Sequence, residues 1–168
     1  MTLRKGYSLS SRIYAVLGLP MYLLVVVVIA STAIILFGLS LLTVYGNTQI
    51  HQVERQIDMI LTESSTMFEY ADVGSLVHLQ VEFPSSLRFM VFGSLPRNGT
   101  EEPVNLTLDE NTSNNYYFVM DDGTLHTFHS NARFSNHNCT QIVILHPGRY
   151  TLTLELSSIG GKTYVTLL

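Results

Sequence analysis

Residues 13–50 carry no Asp, Glu, Lys or Arg, and the centre of that run, Met21-Tyr-Leu-Leu-Val-Val-Val-Val-Ile-Ala-Ser-Thr-Ala-Ile-Ile-Leu-Phe37, is close to hydrocarbon. A bilayer core about 30 Å thick is crossed by roughly 20 apolar residues in helix, and this stretch exceeds that length. A soluble domain of this size has no interior large enough to hide it. The expectation is therefore a membrane-attached chain, or one whose apolar helix packs among other copies in an assembly. Membrane lipid is the first partner implied.

The charges that flank the run set its direction. Arg4, Lys5 and Arg12 precede it and the next basic side chain is Arg55, so the N-terminus is expected in the cytoplasm and the chain from about residue 47 outside. The run is too long for the apolar core of an ordinary secretory signal, and an uncleaved signal-anchor is the simplest reading. Cleavage near the small residues Ala30-Ser-Thr-Ala33 or Val44-Tyr-Gly46 is the alternative. Pro20 suits the first turn of a helix, which places the expected helix start near Leu19, after a looser lead-in.

Beyond Gly46 the pattern becomes one-sided. Ile50, Val53, Ile57, Ile60, Leu61 and Phe68 recur at helical spacing, with Ser64 and Met67 in step, while His51, Glu54, Arg55, Asp58 and Glu63 lie opposite. This stripe is expected to rest on the chain's own β domain or on a partner helix.

From Gly74 onward alternation of apolar and polar residues takes over. Val77, Leu79, Val81 and Phe83 fall on one face; Pro84-Ser-Ser turns the chain, and Leu87–Phe92 is expected to run back as a second strand. Residues 94–115 have loop composition, with Val104–Leu108 a candidate edge strand. Tyr116–Met120 and Leu125–His129, joined across Asp122-Gly123, read as a hairpin with a tight primed turn. Gln141–Leu145, the strictly alternating Tyr150–Leu156, and Lys162–Leu168 after Gly160-Gly161 complete the series. Leu154 and Val143 are candidate core positions. Tyr150 is either a tyrosine that ties a strand start back to upstream backbone or an ordinary half-buried one. The expected fold class is α+β, a long N-terminal helix followed by an antiparallel β-sandwich. Its parts are a basic leader at 1–12, an apolar helix at 13–46, an amphipathic extension at 47–72 and a sandwich at 73–168.

Few residues here carry chemistry. The six histidines show no ligand spacing; His126 and His129, three apart in a strand, are sent to opposite faces. No nucleophile elbow, phosphate loop or zinc-protease helix occurs, and Asp121-Asp122 sits at a turn. The reading is a non-enzymatic chain without a cofactor or metal. The formal charge of −4 includes no basic stripe beyond the N-terminus, which disfavours nucleic acid as a partner. The single cysteine, Cys139, precludes an internal disulfide and reads as a small hydrophobe. Four sequons do stand out: Asn98-Gly-Thr, Asn105-Leu-Thr, Asn111-Thr-Ser and Asn138-Cys-Thr. As candidate glycan acceptors they agree with a domain placed outside the cell.

Taken together, the leader Arg4-Lys5-Gly6, then Ser8, the apolar helix through Phe37, its amphipathic continuation and the β-rich remainder resemble archaeal type IV pilin-like proteins. The resemblance covers the layout of the whole chain. It implies cleavage by a membrane peptidase between Gly6 and Tyr7, apolar helices bundled into a filament core, and β domains facing outward, often glycosylated. Association with further copies or with pilus-like proteins through the N-terminal helix follows from the same resemblance. Arg12 and the late Pro20 suit a second reading, a single-pass envelope protein whose sandwich binds a cell-surface partner. An unpaired charge such as Arg12 in a dry helical core carries a large desolvation cost.

Overall fold

The computed structural model describes residues 10–98 and 100–168, with side chains for all of these except 10–20, 42, 43 and 47. Helix α1 (Ser10–Tyr70) is followed by β1 (Leu76–Phe83), β2 (Leu87–Phe92), β3 (Asn115–Met120), β4 (Leu125–His129), β5 (Phe134–Asn136), β6 (Val143–Leu145), β7 (Gly148–Ile159) and β8 (Lys162–Leu167). The chain divides into two compact units between Gly46 and Asn47. The fold class is α+β.

In the first unit the helix is already formed at Ser10, earlier than the start near Leu19 that Pro20 suggests. Proline within a helix removes one donor, and apolar flanking sequence with no other way to satisfy its backbone keeps the remaining ladder. From Met21 to Tyr45 the large apolar side chains that are described lie between 44 % and 73 % exposed. The hydroxyls of Ser31 and Thr32 donate back to the carbonyls of Val27 and Val28, at 2.7 and 2.8 Å. Such back-bonding satisfies these two hydroxyls within the helix itself.

The second unit is a two-sheet sandwich with the outer part of α1 packed into it. One sheet has the order β1-β7-β8-β5 and the other β4-β3-β2-β6. Alternation does what periodicity requires in β7: Leu152, Leu154 and Leu156 turn inward while Thr151 is exposed. The β7–β8 hairpin closes over Gly160-Gly161, both with positive φ (62° and 77°), which is the requirement of a primed two-residue turn.

Three expectations are corrected. β1 and β2 do not pair: β1 lies beside β7 over its full length, β2 lies between β3 and β6, and the Pro84 turn carries the chain from one sheet to the other. The sandwich is not wholly antiparallel, because the short β5 runs parallel to β8. In the β3–β4 hairpin, only Gly123 takes positive φ (81°), and the Gly123 N–H donates to the Met120 carbonyl at 2.9 Å, closing a four-residue turn over Met120–Gly123. That is a type I turn with a glycine bulge, and Asp122 serves it by accepting from the Thr124 N–H at 2.8 Å.

Residues 94–115 do more than connect. The candidate strand Val104–Leu108 contributes one isolated bridge, Thr107 to Gln141. The loop crosses the outer face of the β4-β3-β2-β6 sheet, where Tyr117 donates its hydroxyl to the Glu101 carbonyl at 3.1 Å and Arg88 pairs with Glu101. Val91, Tyr117, Val119 and Ile142 form a second small core on this face. Hence every residue of the Tyr116–Met120 run is buried, on both faces.

Candidate functional site

The amphipathic stripe resolves into a core element. Val53, Ile57 and Ile60 are at most 2 % exposed and belong to one cluster with Phe83, Phe118, Leu154 and Val165. Ile50, Leu61 and Phe68 are partly buried against the same cluster. Polar side chains fix the docking: Gln49 Oε1 accepts from the Ser86 hydroxyl at 3.1 Å, and Gln56 Oε1 from the Glu82 N–H at 3.1 Å. The stripe rests on the chain's own sandwich, the first of its two expected places. Among the described residues the contiguous apolar surface left uncovered is Met21–Tyr45. α1 is the one described helix long and apolar enough to cross a membrane.

The four asparagines of the sequons are exposed. Their hydroxyl partners differ. Thr107 is exposed, whereas Ser113 is fully buried and donates to the Glu110 carbonyl at 2.9 Å. Asn138 precedes Cys139, whose φ of 50° makes it the one described non-glycine residue in the left-handed region. Gly6 and Tyr7 lie outside the described residues.

The histidines are dispersed. His51 pairs with Glu54 at 2.9 Å, His78 with the Thr153 hydroxyl at 2.9 Å, His129 bonds Asn114 and Asn115, and His137 lies 3.8 Å from Glu155. No group of three His, Cys, Asp or Glu among the described residues is arranged to hold a metal. Tyr150 is half-buried with its ring tilted over Phe83 at 6.4 Å, the ordinary one of its two expected roles.

One arrangement was hidden in the sequence. Tyr116, Phe118, His126 and Phe128, from β3 and β4, form a ladder of nearly parallel rings. Tyr116 to Phe128 is 5.3 Å at 13°, Phe118 to Phe128 is 6.0 Å at 17°, and Phe118 to His126 is 4.7 Å at 19°. Nε2 of His126 is buried without a hydrogen-bond partner. Between this ladder and α1 lies a half-open cavity of about 240 Å³, walled by Glu54, Ile57 and Asp58 on the helix side and by Tyr116, Phe118 and Phe128 on the sheet side. Burial first, then the negative charges of Asp58 and Glu54, push the Tyr116 hydroxyl up to about 12. The signal for this cavity was the pair of acids four residues apart, which place themselves on one helix face.

No family model matches the chain, and comparison with curated proteins and with solved structures finds no match. What stands is the architecture: one long apolar N-terminal helix followed by two mostly antiparallel four-stranded sheets, an element order compatible with a pilin-like chain.

Proposed function

We propose that the chain is a structural, non-enzymatic subunit or accessory protein of an archaeal pilus-like surface filament. Its apolar helix packs in the membrane or among like helices, and its sandwich faces outward. The observation that carries this reading is how apolar surface is distributed along one helix. From Val53 to Met67 the stripe is covered by the chain's own sheets, while from Met21 to Tyr45 apolar side chains stay exposed on every side. A surface apolar all round requires lipid or a ring of neighbours; a single partner helix covers only one stripe of it. Association then resides in the apolar segment, N-terminal to the part that folds with the head.

The test is the native N-terminus together with sheared surface material. Intact mass ending at Tyr7 and filaments visible by cryo-microscopy support the subunit reading. An unprocessed Met1 with all material retained in the membrane after shearing removes it. That second result favours a single-pass envelope protein, N-terminus cytoplasmic, whose sandwich binds a surface partner. The observation in its favour is Arg12, a charge set at the entrance of the apolar run.

Exposed sequons fit either placement. Asn98, Asn105 and Asn138 all have an exposed threonine as partner, and Asn111 is the poorest acceptor, because Ser113 is buried and bonded.

A further inference from the structure

We propose that β4 is a contact between two copies of this chain, the strands pairing edge to edge and antiparallel, with Thr127 of one copy opposite Thr127 of the other. The backbone sets the geometry. The Met120 N–H donates to the Thr124 carbonyl and the Ser130 N–H to the Asn114 carbonyl, so the even-numbered residues of this strand hold the hydrogen-bonded pairs with β3. Leu125, Thr127 and His129 therefore turn their N–H and C=O groups away from β3, and no strand lies beyond β4 among the described residues. Centring on Thr127 sets Leu125 opposite His129 of the other copy and uses every outward group of both strands. Any other antiparallel register leaves some of them unpaired.

The other sheet edges are guarded. On β1 the Glu82 N–H is taken by Gln56 Oε1, with the Glu82–Arg149 ion pair beside it, and β5 and β6 are three residues each. β4 has no such device: Gly123 to Ala132 contains no Asp, Glu, Lys, Arg or Pro, and its register with β3 is unbroken. An uncharged edge meets a copy of itself without repulsion, whereas an acidic or basic strand finds no counter-charge there. The rings point to the same occupant. Phe128 of one copy stands opposite His126 of the other, the pair this sheet already makes between Phe118 and His126, stacked at 4.7 Å and 19°. Phe128 is covered on its β3 side by Tyr116 and His126 by Phe118, and both are half-buried, their other faces toward the open edge. Pairing carries the rows Tyr116–Phe128 and Phe118–His126 across the joint as continuous stacks. On the outer face the exposed Thr127 side chains meet as a threonine pair.

The two-fold also orients the copies. The Ser86 hydroxyl bonds Gln49, the Asp121 N–H bonds the Ser86 carbonyl, and Glu54 and Asp58 lie beside Tyr116 and Phe118. The outer part of α1 thus runs in the direction of β4, and reversing β4 reverses the helix. The contact joins copies that enter it from opposite ends. It is separate from any bundling of like helices, and failure of either leaves the other standing.

A five-residue strand pair is small beside the roughly 1,200 Å² of a lasting interface, so a weak dimer is expected and is trapped covalently. The full chain is held in maltoside micelles in excess over protein, with Cys139→Ser removing its own thiol, and single cysteines are oxidised. Thr127→Cys should form a disulfide dimer at least about tenfold faster than Thr151→Cys, an exposed position on the other sheet. The Cα atoms of a hydrogen-bonded pair lie about 5.5 Å apart, within disulfide reach. Leu125→Cys should crosslink to His129→Cys in a mixture, and neither to itself. Thr127→Lys added to both members sets two ammonium groups against each other and leaves the backbone alone. It should return the rate to that of Thr151→Cys while the thermal melt of the head stays close to wild type. Thr127→Pro, which removes the central outward N–H and no bond to β3, should do the same. The proposal is overturned if Thr127→Cys crosslinks no faster than Thr151→Cys, if Leu125→Cys and His129→Cys each join themselves as readily as each other, or if the folded Thr127→Lys chains crosslink undiminished.

Discussion

Leu154 and Val143 were equivalent as sequence, apolar residues in alternating strands, and the structure separates them. Leu154 is fully buried at the centre of the sandwich, whereas Val143 is half-buried at its margin. Leu154→Ala is expected to lower the unfolding free energy by about 2–4 kcal/mol and Val143→Ala by about 1, read from denaturant midpoints at constant m-value. Tyr116 makes a prediction about pH. Its folded-state pKa is raised from 10.0 to about 12, so the folded state holds the proton more tightly than the unfolded chain. Stability is therefore undiminished below pH 10 and falls as pH rises toward 12. The loss from this group is about 2 kcal/mol. Tyr116→Phe should flatten that part of the alkaline stability curve, and an unchanged slope would show that neither burial nor the helix acids hold the proton on this hydroxyl. Cys139 took its place for a reason composition does not reveal: it sits at a left-handed turn position, accepting from Ser135 Oγ at 3.4 Å.

At the scale of elements, Gly93 ends β2 with φ of +88°, and a Cβ there would lie 2.9 Å from the Phe134 carbonyl oxygen. Gly161 shares the positive φ (+77°) but has nothing within 4 Å of that position. Gly161→Ala thus meets backbone strain alone, about 1 kcal/mol, whereas Gly93→Ala meets strain and a backbone clash, about 2–4 kcal/mol. Chemical denaturation of both variants separates the two terms. The elements themselves were legible where local chemistry decides them. Gly160-Gly161 names its own turn, and Tyr150–Leu156 alternates too strictly to be anything but a strand with one buried face. Partnership was not legible. Pro84-Ser-Ser says that the chain turns, but not whether the strands on either side pair or enter different sheets. β5, with three residues in polar surroundings, gains its place only from β8, distant in sequence. The Tyr116–Met120 run read as a strand, yet its second buried face depends on a loop whose candidate strand, Val104–Leu108, makes one isolated bridge. The cavity escaped for the same reason. Glu54 and Asp58 look like a solvated face until the sheet opposite them is known.

For the whole molecule, the governing quantity is the transfer of the Met21–Leu41 surface out of water. Its Leu, Ile, Val and Phe side chains, at about 0.3–0.6 kcal/mol each when placed centrally in a membrane helix, sum to on the order of 6 kcal/mol in favour of insertion. One lysine at the centre costs about 3 kcal/mol and forfeits one apolar term, so insertion survives it. Two such lysines bring the balance to roughly zero. Val27 and Ile35, 52 % and 62 % exposed, are suitable positions because neither belongs to the core of the sandwich. Ile35→Lys alone is expected to leave the chain in the membrane fraction. Val27→Lys combined with Ile35→Lys should release most of it, while the thermal transition of the head stays within about 1 °C of wild type in detergent, as for sites with no shared contacts. The pair of measurements also separates lipid from neighbours as the cover for this surface. If wild-type chain pellets as filaments and the single lysine already dissolves them, close helix packing is the state that excludes charge most strictly, because a lysine among packed helices cannot reach the interface as it can in lipid. A double-lysine chain that remains membrane-bound would show that something other than the apolar segment holds the protein to its surface.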